Sequence, residues 1–194
     1  MLILVRHGQT AVNAAGRLQG RADPPLTDEG RAQASALAPV VTGASRVVCS
    51  PLRRARETAE LLGLGPIDVD ERWVELDYGA LDGMAFDEVP ADTWRRWRTD
   101  PTWAPDGGES LDDVGARVAA ACDDLLARPD SDGDIVVVSH VSPIKAAVAW
   151  SLGVPQTVSS RMHLALASVC RVAVGPAGPV LRTFNETAHL HAGR

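Results

Sequence analysis

Short apolar runs alternate with stretches of helical periodicity along the chain. The first four runs are each three or four residues long and are followed by polar or turn residues, a pattern typical of buried strands in an α/β sheet. The run at 135–138 contains four β-branched residues and is the strongest strand prediction. In chain order, strands are predicted at 2–5, 46–49, 67–69, 135–138, 162–174 and 180–184.

Helices are predicted between these strands from capping residues and apolar faces. Thr27 precedes two acidic residues, and Ser110 stands three residues before Asp113, the spacing of a capping box. Ser142 is predicted to cap the last helix, with Pro143 as its first residue. The predicted helices span 28–41, 52–62, 86–98, 110–127 and 143–152, with a loop or short helix at 10–23 and turns at 129–134 and 175–178.

This order of elements predicts one α/β domain over residues 1–194, a three-layer α/β/α sandwich around a mixed, mostly parallel sheet. The last two strands are expected to form a hairpin, which makes the sheet mixed rather than purely parallel. Segment 83–109, with Trp94, Trp97 and Trp103 among polar residues, is predicted to form a lid or side wall. Its tryptophans either pack the segment onto the core, which we favour, or contact substrate.

The composition excludes several classes of protein. With 45% hydrophobic and 23% charged residues, the chain resembles an ordinary soluble domain, and no apolar stretch approaches the length of a membrane span or signal peptide. A net charge of −6 argues against nucleic-acid binding, so an anionic ligand would need a local cluster of arginines. Cys49, Cys122 and Cys170 are odd in number and widely spaced, which favours buried thiols in a reducing cytoplasm over a disulfide framework.

Charged residues follow three of the predicted strands. Arg6 and His7 follow the first strand, Arg53 and Arg54 lie just after the second, and His140 lies just after the fourth. Because ligands of open α/β sheets bind beyond the carboxyl ends of the strands, these side chains would converge if the strands are neighbours. Arginines offer paired donors that match phosphate oxygens, and histidine can act as a nucleophile at phosphorus. For any one of these residues taken alone, a loop histidine or a solvated arginine is the simpler interpretation.

Four blocks of the sequence together resemble the histidine phosphatase superfamily, the phosphoglycerate mutase-like proteins. They are residues 4–10 (LVRHGQT), 50–59 (SPLRRARETA), 75–79 (ELDYG) and 139–140 (SH), and they occur in the family's order. Stretches 26–30 (LTDEG) and 107–110 (GGES) also match, so the resemblance covers residues 2 to about 153. In the second block the family arginine falls on Arg54 rather than Arg53. The resemblance implies a phosphoglycerate mutase-like α/β/α fold.

The resemblance also implies a role for each residue that matches a block. His7 would attack the substrate phosphorus and form a phosphohistidine, and Glu75 would protonate the leaving group and then activate water. The residues implied to bind the phosphoryl oxygens are Arg6, Arg54 and His140. The further substrate contacts implied are Asn13, Gln19, Gly20, Glu75 and Val141.

Some residues depart from the family pattern. Many members have two glycines after the second histidine, whereas this chain has Val141, Ser142 and Pro143, as in the phosphatase branches. Within the second block, Arg53 and Arg56 are interpreted as surface charges. His163, His189 and His191 match no block and keep their ordinary interpretation.

We therefore expect a phosphomonoesterase that acts on a small phosphorylated metabolite in the cytoplasm, with no nucleic-acid or membrane partner. The alternatives are a phosphoglycerate mutase and a non-catalytic phosphate-binding module. The mutases are longer and carry a basic insertion after the glutamate block, whereas here Arg95, Arg96 and Arg98 lie in a short region among tryptophans. No metal or cofactor is expected, because no spacing typical of a metal site is present. The substrate's identity and the oligomeric state, with a homodimer as one alternative, stay open.

Overall fold

A mixed, mostly parallel six-stranded sheet forms the centre of the computed structural model, which describes residues 1–127 and 133–191. The strands are β1 (Leu2–Arg6), β2 (Ala44–Cys49), β3 (Ile67–Val69), β4 (Asp134–Ser139), β5 (Val169–Gly175) and β6 (Gly178–Glu186). Their order across the sheet is β3-β2-β4-β1-β5-β6. The first four strands run parallel, and β5 and β6 add an antiparallel hairpin beside β1, which confirms the predicted mixed sheet.

Helices cover both faces of the sheet. They are α1 (Ala11–Ala14), α2 (Asp28–Leu37), α3 (Arg53–Leu62), α4 (Ala91–Thr99), α5 (Leu111–Leu126) and α6 (Val141–Leu152). Side chains of β1 alternate between the faces, so Leu2 and Leu4 pack in the core that α5 and α6 complete. Ile3 and Val5 pack in the opposite core, which α2 and α3 complete. The predicted three-layer α/β/α sandwich is therefore confirmed.

Two predicted capping signals are present in the structure. The Ser110 hydroxyl accepts a hydrogen bond from the Asp113 N–H at 3.1 Å, and the Asp113 carboxylate accepts one from the Ser110 N–H at 3.1 Å. The Thr27 hydroxyl accepts a hydrogen bond from the Gly30 N–H at 3.0 Å. Each bond satisfies a backbone donor that the helix itself cannot satisfy, so α2 and α5 begin where the sequence predicts.

The start of α4 differs from the prediction. The helix begins at Ala91 rather than at residue 86. Pro90 precedes it, and a proline disfavours helical backbone at the residue before it, Val89. Upstream, the Ala85 N–H donates to the Glu88 carboxylate at 3.0 Å and holds a turn there instead. The helix that carries the tryptophans is therefore shorter than its sequence pattern suggested.

The start of α6 was also predicted wrongly. The helix begins at Val141, with His140 as its N-cap residue, so Ser142 and Pro143 are its second and third residues. The His140 side chain makes no capping bond, and the Glu75 carboxylate instead accepts the N–H groups of Val141 and Ser142. A carboxylate that is distant in sequence thus replaces the predicted Ser142 cap.

The fifth strand is shorter than predicted. It begins at Val169, and residues 162–168 form an irregular segment rather than a strand. Ala167 in this segment has φ at +50°, outside the region that strands adopt. The Arg6 Nη1 group donates to the Leu164 carbonyl at 2.6 Å. The segment therefore packs against the end of β1 instead of extending β5.

Other boundaries differ little from the predictions. α2 ends at Leu37 and continues as a 3₁₀ turn over residues 38–40, and the short α1 lies in the predicted loop 10–23. The predicted turn at 129–134 lies mostly outside the described residues. Within the two described ranges, no helix has both the length and the apolar character that a membrane span requires.

Candidate active site

The carboxyl ends of β1 and β4 bring two histidines together. The two strands are neighbours, with Arg6 opposite Ser139, and the His7 N–H donates to the Ser139 carbonyl at 3.0 Å. The ring centroids of His7 and His140 are 5.0 Å apart. On the other side of β4, β2 leads into α3, whose second residue, Arg54, reaches both rings. The charged residues that follow three strands therefore meet at one edge of the sheet.

Arg54 is fully buried between the two histidines and the backbone. Its Nε–H is shared between Nε2 of His7 at 3.3 Å and Nδ1 of His140 at 3.1 Å. Its Nη1 and Nη2 groups donate to the carbonyls of Ala22 and Gly20 at 2.7 and 2.9 Å. Burial lowers the pKa of Arg54 from its ordinary value. These contacts fix a cation directly beneath the two imidazole rings.

The hydrogen bonds of His7 define its tautomer. The Nδ1 atom lies 2.7 Å from the carbonyl oxygen of Gly8, and because a carbonyl only accepts, Nδ1 carries the proton. The Nε2 atom then has a lone pair. Burial holds the pKa of His7 well below its ordinary value, and the positive charges of Arg54 and Arg6 lower it further. His7 is therefore a neutral imidazole whose Nε2 lone pair faces the shared Nε–H of Arg54 at 3.3 Å and can act as a nucleophile when it turns from that contact to phosphorus.

His140 is oriented by Ser50, a residue that the sequence analysis did not single out. Because Nδ1 of His140 accepts a hydrogen bond from Arg54, its Nε2 atom carries the proton and donates to the Ser50 hydroxyl at 2.7 Å. Burial also holds the pKa of His140 well below its ordinary value. Ser50 is the first residue of the second sequence block, and that position was the signal that could have identified it.

Glu75 is anchored at the N-terminus of α6. Its Oε2 atom accepts a hydrogen bond from the Val141 N–H at 3.0 Å, and its Oε1 atom accepts from Ser142 at 3.1 Å and Leu76 at 2.8 Å. Only 3% of Glu75 is exposed. The N-terminus of the helix, which attracts negative charge, thus holds a protein carboxylate in a fixed position beside the histidines.

An open cavity of about 660 Å³, here called the main cleft, lies over these groups. The site residues expected from the sequence that line it are Arg6, His7, Asn13, Gln19, Glu75 and Val141. Arg54 and His140 are completely buried beneath it. Gly20 does not line the main cleft, because its carbonyl accepts from Arg54 and its N–H donates to Asp82 at 2.7 Å. Gly20 therefore holds the Arg54 side chain in place and does not border the cleft itself.

Several polar donors of the main cleft are held in place but not fully paired. Oε1 of Gln19 accepts a hydrogen bond from the Thr10 hydroxyl at 2.6 Å, and Oδ1 of Asn13 accepts one from the Thr10 N–H at 3.1 Å. Within the described part of the chain, Nε2 of Gln19 and Nε of Arg6 are buried without a partner. Burial lowers the pKa of Arg6 to about 10, so Arg6 is still a cation at neutral pH. Unpaired buried donors are costly, and an anion in the cleft would satisfy them.

The arginines and histidines to which the sequence analysis gave no role in the site lie mostly away from these groups. Arg53 and Arg56 are exposed, and His189 lies 2.9 Å from the Ala167 carbonyl through its Nε2 atom. His163 is exposed and lines the main cleft, which the sequence did not indicate because segment 162–168 was taken for a strand. Across residues 1–127 and 133–191, no group of three or more His, Cys, Asp and Glu side chains is arranged to hold a metal ion.

The donors around the main cleft define the class of protein. Cations and amide groups beside a neutral imidazole suit phosphoryl transfer. They lie at the edge of the sheet where α/β proteins bind ligands. A comparison with protein-family models identifies the family. The model of the histidine phosphatase superfamily (branch 1) matches residues 2–187, and the chain belongs to this family. The resemblance stated from the sequence blocks is therefore confirmed.

Relatives with assigned names match most of the chain. The bifunctional protein Rv2228c of Mycobacterium tuberculosis is 37% identical over 97% of the chain, which spans about half (54%) of that relative's length. A glucosyl-3-phosphoglycerate phosphatase of Mycolicibacterium vanbaalenii is 39% identical over 79% of this chain and 75% of its own length. The crystal structure of a phosphoserine phosphatase mutant from Entamoeba histolytica, in complex with phosphoserine, has a TM-score of 0.90 at 29% identity and covers 97% of this chain and 98% of its own.

Proposed function

We propose that the protein is a phosphomonoesterase that hydrolyses a small phosphorylated metabolite through a phosphohistidine intermediate, without a metal ion. The observation that carries this proposal is the tautomer of His7. The Gly8 carbonyl, 2.7 Å from Nδ1, holds the ring proton there and leaves Nε2 as the nucleophile. The names of the relatives, a glucosyl-3-phosphoglycerate phosphatase and a phosphoserine phosphatase, support a phosphorylated metabolite as the substrate.

In the first step Nε2 of His7 attacks phosphorus, so that an N–P bond forms and the ester P–O bond breaks. Arg6 and Arg54 stabilise the negative charge on the equatorial oxygens. Stabilising this charge in the transition state is the main electrostatic contribution to such a reaction. His140 accepts the Arg54 Nε–H through its Nδ1 atom and thereby holds the guanidinium group in position for the phosphoryl oxygens. The phosphomonoester monoanion, with a pKa of about 6, supplies the proton that the Glu75 carboxylate takes up and passes to the leaving oxygen.

In the second step water attacks the phosphohistidine. Glu75, now ionised, takes a proton from this water, the new P–O bond forms and the N–P bond breaks. Asn13 and Gln19 donate amide N–H groups to the phosphoryl oxygens, Val141 forms part of the wall, and Gly20 contributes by holding Arg54. Two guanidinium groups provide the positive charge that a metal ion provides in other phosphoryl-transfer sites.

The test is a screen of phosphorylated metabolites for phosphate release, followed by analysis of His7→Ala on the best substrate. We expect His7→Ala to lose activity while keeping its fold, whereas His191→Ala, an exposed histidine outside the main cleft, serves as the matched control. Enzyme quenched during turnover should carry an acid-labile, base-stable phosphate on His7. Activity should survive treatment with a chelator. An acid-stable phosphoester, or loss of activity on chelation, would contradict this mechanism.

The same assays distinguish the two alternatives. A phosphoglycerate mutase would interconvert 2- and 3-phosphoglycerate much faster than it releases phosphate, using the same phosphohistidine. A non-catalytic binding module would bind phosphate and show neither reaction. The presence of His7, Glu75, Arg54 and His140 in one site favours catalysis over binding alone.

A cytoplasmic location is part of the proposal. Cys49, Cys122 and Cys170 are free and buried. Burial raises the pKa of Cys49 to about 12 and that of Cys170 to about 11, so these thiols are poorly reactive structural groups. A chain with such cysteines and no disulfide between them is suited to a reducing compartment.

A further inference from the structure

A smaller cavity adjoins the main cleft on the side of α4 and α6. It has a volume of about 260 Å³ and is here called the second compartment. Four residues line both spaces, namely Tyr78, Trp94, Val141 and Lys145. A substrate with its phosphoryl group at His7 would therefore extend its alcohol part past these residues into the second compartment. What lines that compartment determines which alcohol is accepted.

The second compartment carries positive charge in an acidic protein. The chain has 25 acidic residues and a net charge of −6, yet among the described residues the lining contains Lys145 and Arg98 and no acidic residue. In the described part of the chain, neither cation has a hydrogen bond or an ion pair. By contrast, Arg95 on the same helix as Arg98 pairs with Asp92 at 3.1 Å. The two unpaired cations thus lie on the wall of a cavity rather than in a surface network.

Of the two unpaired cations, Lys145 is the stronger evidence for an anion-binding site. It is half-buried among aromatic and aliphatic side chains, and burial lowers the pKa of its ammonium group, with Arg6 lowering it further. The nearest acidic influence is Glu75, whose oxygens already accept backbone N–H groups. An unpaired ammonium group in such surroundings costs free energy that an anionic ligand would offset. Lys145 lies one helical turn after Val141, about 6 Å further along the axis of α6.

We propose that the second compartment binds a second anionic group, such as a carboxylate, carried on the alcohol part of the substrate, with Lys145 as the specificity-determining residue. Arg98, which is exposed, supplements this charge at the outer side. Trp94 and Trp97 make part of the wall apolar, and attraction between charges is stronger in less polar surroundings. This inference rests on the proposed function, because it assigns the leaving part of the same substrate.

The sharpest probe is a pair of compounds that differ in one group. 3-Phosphoglycerate and glycerol 3-phosphate have the same carbon chain and phosphoryl ester, but one has a carboxylate where the other has a hydroxymethyl group. We expect the native enzyme to have a higher kcat/KM for 3-phosphoglycerate. A hydrogen bond to a charged group contributes about 1.5–3 kcal/mol, so Lys145→Met should reduce the ratio of the two kcat/KM values about 10- to 150-fold. Arg98→Met should reduce it less, and Arg95→Met serves as the matched control.

A second readout measures binding without catalysis. Lys145 is the only lysine in the chain, so an amine-reactive ester labels one side chain, and mass spectrometry separates this product from the labelled N-terminus. In His7→Ala, 3-phosphoglycerate should protect Lys145 from labelling at concentrations at least about tenfold lower than glycerol 3-phosphate or inorganic phosphate. This ratio corresponds to about 1.4 kcal/mol of discrimination.

The two readouts separate this inference from the proposed function. Protection by 3-phosphoglycerate with no phosphate release from any compound would refute the phosphatase and leave the anion-binding compartment supported. Equal protection by inorganic phosphate would show that Lys145 contacts the phosphoryl group itself, which overturns the inference. An unchanged kcat/KM ratio in Lys145→Met would overturn it as well.

Discussion

The hydroxyl of Ser50 controls the tautomer of His140, and Ser50→Ala removes that control. In the native protein Nε2–H of His140 donates to Ser50 at 2.7 Å, and Nδ1 accepts from Arg54 at 3.1 Å. Without the hydroxyl, the buried Nε2–H group has no acceptor there. If the proton moves to Nδ1 instead, it points at the Nε–H of Arg54 and two donors face each other. Either state disturbs the Arg54 guanidinium that His7 also contacts.

The size of the effect follows from the burial of the lost partner. An unsatisfied buried donor costs about 1–3 kcal/mol. In a domain of this size each kcal/mol shifts Tm by about 2–4 °C, so Tm should fall by roughly 2–12 °C. We expect kcat on the best substrate to fall about tenfold to a hundredfold, since a loss of about 1.4–2.7 kcal/mol of transition-state stabilisation gives those factors. KM should change less than kcat, because Arg6 and Gln19, the proposed donors to the phosphoryl group, stay in place.

Thermal unfolding, phosphate-release kinetics and imidazole ¹⁵N shifts together test this reasoning. Ser45→Ala is the matched control, since the Ser45 hydroxyl is exposed and donates to the Asp134 carbonyl at 3.2 Å. The ¹⁵N shifts report the tautomer directly, which a merely structural role of Ser50 would not change. If Ser50→Ala keeps the native tautomer of His140 and the native kcat, the role assigned to Ser50 is wrong.

Two further predictions concern stability. Because burial depresses the pKa values of His7 and His140, the unfolded chain binds more protons below its histidine pKa of about 6.5. The free energy of unfolding should therefore be retained above that pH and fall below it, by about 1.4 kcal/mol per pH unit for each histidine. In His7→Asn, the free energy of unfolding measured by urea titration should fall less steeply as the pH is lowered. Gly30→Ala would place a Cβ atom 2.1 Å from the Gln9 carbonyl oxygen. This clash should outweigh the gain of about 0.5–1 kcal/mol from alanine in a helix, so Gly30→Ala should lower the free energy of unfolding by about 1–3 kcal/mol. Gly175 has open space around it, so Gly175→Ala should differ little from the native protein in the same titrations.

The sheet was predictable because its strands are continuous apolar runs. The run at 135–138 cannot present a polar face, so it must lie in the centre, and β4 does lie between β2 and β1. Charged residues placed directly after such strands have few other positions available, which is why Arg6, His7 and His140 could be singled out. These residues come together only if their strands are neighbours in the sheet. The local sequence does not contain the order of the strands.

The parts that sequence reasoning missed depend on partners distant along the chain. Glu75 caps α6, so the local capping signal at Ser142 was misleading. Ser50 is an unremarkable strand-end serine until β4 places His140 beside it. Segment 162–168 has strand-like composition, but its backbone is used to hold Arg6 through the Leu164 carbonyl. In each case the missed contact joins residues that are far apart along the chain.

The pairing of β1 with β4 joins the start of the chain to a strand that follows most of the helices. Such a long-range contact closes a large loop of chain and forms slowly compared with local contacts. The two imidazoles become neighbours only when this pairing is complete, so a partly folded chain that lacks it does not form the proposed catalytic site. During refolding, recovery of turnover would accordingly follow the last strand pairing rather than the earlier gain of helix.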